Sequence, residues 1–89
     1  MTPAERKAFK ARAHKLEPVV IIGNKGLTEE VFAEIDRALT AHELIKVRAP
    51  VADRDERQVF VENIMQRTGA EAVQVVGRVF VLYRKNPDA

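Results

Sequence analysis

Residues 19–30 read VVIIGNKGLTEE: four β-branched apolar residues, a Gly-Asn-Lys-Gly turn, then Leu-Thr-Glu-Glu at the mouth of a helix. The apolar run lacks alternation, which predicts a strand over 19–22 buried on both faces. Thr28 is placed to cap the helix that follows, running to about Ala41 or His42. Val31, Phe32, Ile35, Ala38 and Leu39 recur on one side of it at helical spacing, while Glu30, Glu34, Asp36 and Arg37 face water. Residues 44–49 then alternate with period two: Ile45, Val47 and Ala49 share one face, and Leu44, Lys46 and Arg48 the other. A strand, a helix and a second strand at this spacing make a crossover unit with parallel strands.

The pattern extends in both directions from this unit. Upstream, Thr2-Pro3-Ala4-Glu5 is a helix start, with Thr2 as cap, Pro3 at the first helical position and Glu5 completing a capping box. That helix is expected to reach about Leu16. Its apolar stripe is narrow, Phe9, Ala13 and Leu16, with Lys7, Lys10 and His14 opposite and Arg6, Arg12 and Lys15 flanking. Downstream, Asp53 and Glu56 have capping-box spacing, and Phe60, Val61, Ile64 and Met65 form the stripe of a third helix that Gly69 stops. Two final strands, 72–76 and 79–83, are joined by Gly77-Arg78 as a hairpin. The expected order is α-β-α-β-α-β-β, a two-layer α/β fold on a mixed four-stranded sheet. The first three strands run parallel and the last antiparallel, with helices two and three on one face. Because the first strand reads as apolar on both sides, helix one is expected to cover the other face near it.

Composition narrows the chemistry. The 89 residues have 46% apolar content and a net charge of +2, which fits one folded domain over 1–89 with a short tail from 85. There is neither cysteine nor serine, and only two histidines. Thiolate metal sites and the usual nucleophile–base pairs therefore cannot be assembled, and no enzyme, metal or cofactor is expected. His14 and His42 are distant with no third ligand at metal spacing. The carboxylates Asp53, Asp55 and Glu56 are explained by capping. The longest apolar run is too short to span a membrane, and no secretory leader is legible, so a cytoplasmic protein is expected. Charge is polarised: residues 1–28 carry six basic and two acidic side chains, residues 29–43 one basic and five acidic. The basic N-terminal part suggests an anionic partner.

The glycine turn fits neither nucleotide pattern. A dinucleotide loop needs three spaced glycines, and a phosphate-binding P-loop needs its lysine after the second glycine rather than between the two. What remains is G-x-x-G with a basic interior residue, as in KH domains that clamp single-stranded nucleic acid. Gly23 and Gly26 permit positive φ and close approach, Lys25 adds a charge, Asn24 a donor, and the helix start favours an anion. Glu29 and Glu30 oppose a phosphate squarely over the helix end, so a ligand is expected on the Lys25 side. Phe80 and Tyr83 alternate faces in the last strand, as core residues or as platforms for a base.

The run from Pro18 through VVIIGNKGLTEE to Val31, then Ile35 and His42-Glu-Leu-Ile-Lys-Val47, resembles the CRM domain (chloroplast RNA splicing and ribosome maturation). Arg67-Thr-Gly-Ala70, Val73-Gln-Val-Val-Gly77 and Leu82-Tyr-Arg84 fit the same pattern over essentially the whole chain, as in the stand-alone bacterial YhbY-like members. The resemblance implies a fold similar to the C-terminal domain of bacterial translation initiation factor three. It also implies RNA binding through the loop Gly23, Asn24, Lys25 and Gly26, and a link to precursors of the large ribosomal subunit. The basic residues Lys7, Lys10, His14, Lys15, Lys46 and Arg48 are added from their placement on helix one and strand two. The expected protein is a monomer that binds precursor ribosomal RNA and takes no small-molecule substrate. The competing expectation is a protein-interaction adaptor whose acidic helix, 29–43, meets a basic ribosome-associated partner.

Overall fold

The computed structural model describes residues 1–51 and 53–87. In chain order it has α1 (Pro3–Ala13), β1 (Pro18–Ile21), α2 (Glu29–His42), β2 (Leu44–Arg48), α3 (Arg54–Thr68), β3 (Glu71–Val76) and β4 (Val79–Tyr83). Each helix starts where a cap was expected, but the caps differ. At α1 the Thr2 hydroxyl accepts the Glu5 N–H and the Glu5 carboxylate accepts the Thr2 N–H, a complete capping box. At α2 the Thr28 hydroxyl accepts from the Val31 N–H. At α3 Asp53 occupies the cap position without a side-chain hydrogen bond, so the expected box is not formed there. Gly69 closes α3 with φ +74°, as its position predicted. The first helix ends at Ala13, three residues short of expectation. Beyond it the chain tightens into i→i+3 bonds, Lys15 N–H to Arg12 O and Leu16 N–H to Ala13 O.

The sheet order is β1-β2-β4-β3. Strands β1 and β2 are parallel, and β4 is antiparallel to both β2 and β3, so β3 shares the direction of β1 and β2. The last strand thus inserts between β2 and β3. Helices α2 and α3 cover one face. Ile35, Leu39, Val61 and Ile64 pack there against Val20, Ile45, Val47, Phe80 and Leu82. Fully burying side chains of this size is worth roughly 1.5–3 kcal/mol each, so this cluster dominates stability. Met65, expected in the α3 stripe, is 37% exposed; Thr68, a turn further on, is buried with its hydroxyl on the Ile64 carbonyl.

Helix α1 lies on the other face, but over β2, β4 and β3 rather than over β1. Ala13 is buried with Leu44, Val73 and Val81, and Phe9 and Leu16 pack at the edge of that cluster. The Phe9 and Tyr83 rings stack with centroids 4.2 Å apart. The Arg6 guanidinium donates to the carbonyls of Ala72 (2.8 Å) and Val73 (2.9 Å), where the β3 register shifts. A stripe of one phenylalanine, one alanine and one leucine can cover one patch, and it covers the one these contacts define.

The expectation that both faces of β1 are buried is therefore wrong. Val20 and Ile22 are buried, but Val19 is 47% and Ile21 69% exposed. An unbroken apolar run usually means a strand covered on both sides, but β1 is an edge strand and its uncovered face is simply left open. At the far end, Arg84 ties β4 to both facing helices: it donates to the Asp36 carboxylate (2.6 Å) and the Thr68 carbonyl (2.7 Å).

Candidate nucleic-acid interface

The Gly23–Gly26 turn projects from the end of β1. Its Gly26 N–H bonds the Gly23 carbonyl at 3.0 Å. Of the two glycines only Gly26 uses the freedom to take positive φ, +75°. A Cβ on Gly26 would meet the Phe60 ring at 3.7 Å, an ordinary contact, so backbone conformation and not space requires glycine there. Asn24 and Lys25 are exposed, and Lys25 has no ion-pair partner among the described residues. The depression beside the turn is lined by the loop, Thr28, Glu29 and Glu30.

One of those two carboxylates is not free. Glu29 is paired with Arg67 of α3, and the same guanidinium lies 4.4 Å from the centre of the Phe32 ring. Arg67 thus offsets half of the negative charge at the start of α2. Glu30 remains exposed. Arg67 drew attention in the sequence only as part of the family pattern. Its partner is 38 residues away, and no local spacing announces such a pair.

The predicted basic residues separate into groups. Lys10 on α1 and His14, the residue that caps its C-terminal end, line a cavity together with Lys46 of β2. Arg48 follows two residues later on the same face of β2, opposite Ile21 of β1 and Val79 of β4. Lys7 shares a shallow depression with Arg6 and Lys10 at the start of α1. Lys15 stands on the other flank, in a depression with Arg12, Glu17, Val19 and His42. Helix α1 therefore carries its cations on two flanks rather than in one outward stripe. The cause is its position: lying across the sheet, it turns one flank toward β2 and β4 and the other toward the α2 end. Phe80 is fully buried, and Tyr83 is half-buried with its ring stacked on Phe9.

Among the described residues no three His, Cys, Asp or Glu side chains gather as metal ligands, and no helix is long and apolar enough to cross a membrane. The Glu5 carboxyl is held below its ordinary value, chiefly by the hydrogen bond from the Thr2 N–H.

Comparison with known proteins gives a consistent picture. The model of the CRS1 / YhbY (CRM) domain matches residues 1–84. A Haemophilus influenzae protein named "RNA-binding protein" is 44% identical, over all of this chain and 90% of its own length. A Pseudomonas aeruginosa protein named "Probable RNA-binding protein PA4753" is 42% identical, over 98% of this chain and 84% of its own. A Staphylococcus aureus protein solved in solution superposes with a TM-score of 0.85 at 31% identity, covering 97% of this chain and 90% of that one.

Proposed function

Because this chain belongs to the CRS1 / YhbY (CRM) domain family, we propose that it is an RNA-binding protein that docks on precursor ribosomal RNA and assists assembly of the large ribosomal subunit. It acts as one folded unit and a monomer in the bacterial cytoplasm, by binding rather than by catalysis. Relatives over 40% identical that carry RNA binding in their names support the first step. The observation that carries the reading here is the exposed Gly23–Gly26 turn, with Lys25 unpaired among the described residues and Glu29 held by Arg67. A phosphate approaching from the Lys25 side meets a free ammonium, a backbone without side-chain obstruction and only one uncompensated carboxylate.

The proposed contacts are Gly23, Asn24, Lys25 and Gly26, with Lys7, Lys10, His14, Lys15, Lys46 and Arg48 supplying charge. Replacing Asn24 and Lys25 together with Asp is expected to weaken binding to precursor large-subunit RNA while leaving the thermal midpoint in place. Each phosphate contact removed should flatten the plot of log affinity against log salt by roughly 0.7–0.9. Affinity that is unchanged and insensitive to salt would sink the mechanism. The adaptor reading has less to work with, because Asp36 on the acidic helix is already engaged by Arg84. It predicts that Glu30 and Glu34 substitutions, and not loop substitutions, abolish association with pre-ribosomal particles.

A further inference from the structure

The face of the sheet that α1 leaves partly open carries a cavity of about 320 Å³ between α1 and strands β2, β4 and β3. Its volume lies at the lower end of the roughly 300–1,000 Å³ typical of small-ligand sites. The floor and walls are apolar, formed by Ala13, Val76, Val79 and Val81. Around them stand Lys10, His14, Lys46 and Gln74. Among the described residues no carboxylate lines it, in contrast to the depression at the glycine turn, which holds Glu29 and Glu30. Among the described residues the side chains of Lys10, His14 and Lys46 form no ion pair, and the Gln74 amide makes no hydrogen bond.

We propose that this cavity receives an unpaired RNA base, with its flanking phosphates on Lys10, Lys46 and His14 and its polar edge on the Gln74 amide. The proposal rests on the RNA-binding reading and extends it from phosphate contact to base capture. The occupant follows from the chemistry of the walls. A nucleobase has apolar faces, which suit the valine surface, and a donor–acceptor edge, which suits an amide able to do both. Its backbone brings negative charge at the rim, where three basic side chains stand without a counter-ion among the described residues. A stacked duplex hides its base faces, so the ligand is a single strand, a bulge or a loop. Val76 is 57% exposed, and seating a base against it removes apolar surface from water that the fold itself leaves open. Lys46 and Arg48 continue along β2 toward Ile21 and the β1 end, where the glycine turn begins. A strand held at the turn thus has a cationic route to the cavity.

The test is methyl and amide NMR of the full chain with four probes: uridine and adenosine 5′-monophosphates, inorganic phosphate and a hexaglutamate peptide. The nucleotides are expected to shift the Val76 and Val79 methyls and the Gln74 side-chain amide, and inorganic phosphate is not. Shifts of those groups by phosphate or hexaglutamate as large as those from the nucleotides would show a general anion site and overturn base capture. A short oligouridylate then separates the two readings. If it shifts Asn24 and Lys25 but leaves the cavity silent, RNA binding stands and this proposal falls; if it shifts nothing, both fall. As a second arm, Gln74→Leu removes the amide at the half-buried edge position without changing the charge. It should weaken single-stranded RNA binding about tenfold while duplex binding and the urea midpoint stay unchanged. Equal losses for both RNA forms would also overturn the proposal.

Discussion

The two glycines of the turn look equivalent in the sequence and are not equivalent in the fold. Gly26 sits at φ +75°, a conformation that costs an L-residue roughly 1 kcal/mol or more, whereas Gly23 has ordinary φ and open space around its Cα. Gly26→Ala is therefore expected to lower the unfolding free energy by about 1 kcal/mol, and Gly23→Ala to leave it within about 0.5 kcal/mol. Urea denaturation of both variants checks this, and equal midpoints would contradict the assigned geometry. The difference also gives RNA binding a cleaner probe. A loss of affinity in Gly23→Ala at unchanged stability reports crowding of a ligand, because the fold has no use for the missing methyl. Arg67 makes the complementary point: its position in a family pattern is legible, but its work, holding Glu29 while lying over Phe32, exists only after α2 and α3 have packed.

Among the elements, α1 depends most on its own sequence and least on burial. Only Ala13 of its eleven residues is buried, so its caps work beside a few docking contacts, Phe9 on Tyr83 and Arg6 on the β3 carbonyls, to hold so short a helix. Removing the cap with Thr2→Ala should cost about 1 kcal/mol and fray the first turn, read as faster hydrogen exchange of the Glu5 and Arg6 amides. The same cap has a predictable response to acid. The Glu5 carboxyl is lowered chiefly by the Thr2 N–H bond, so its contribution is complete above the unfolded-state value. It is lost as pH falls through the lowered folded-state value, and Glu5→Gln should flatten the dependence of α1 amide exchange over that acid range. Helices α2 and α3 behave differently, because their apolar stripes anchor them. Those stripes were legible from spacing alone, save for Met65, which the orientation of α3 turns outward. The Asp53–Glu56 box was spelled in the sequence but not formed: spacing permits such a bond, while the backbone path into α3 decides whether it is made.

For the molecule as a whole, the two faces of the sheet are unequal. The face under α2 and α3 is a closed core, and Leu39→Ala there should cost about 2–5 kcal/mol. Ile21, in the middle of the apolar run, lies on the open face, so Ile21→Ser should change stability by no more than about 0.5 kcal/mol. A paired urea titration decides it; a loss at Ile21 comparable to that at Leu39 would mean that something covers β1. The open face is where Lys10, His14, Lys46 and Arg48 gather around exposed valine and isoleucine side chains, so the departure from the expected covering of β1 coincides with the candidate interface. A sheet covered by α1 up to β1 would have no such surface.

What the sequence by itself determined is what repeats at short range: helix starts, the glycine stops, the period-two strand β2, the hairpin at Gly77 and the parallel sense of the first strands. Each is set by backbone conformation and by which side of an element is apolar, and those are properties of neighbours in the chain. Tertiary structure alone decided that β4 lies between β2 and β3, that α1 rests on Leu44, Val73, Val81 and Tyr83, and that Lys10 and His14 thereby face Lys46 while Lys15 does not. Those outcomes depend on which distant surfaces bury most apolar area together. An apolar residue carries a demand for cover but no address for it, so VVII could be identified as a strand without revealing that half of it would stay in water.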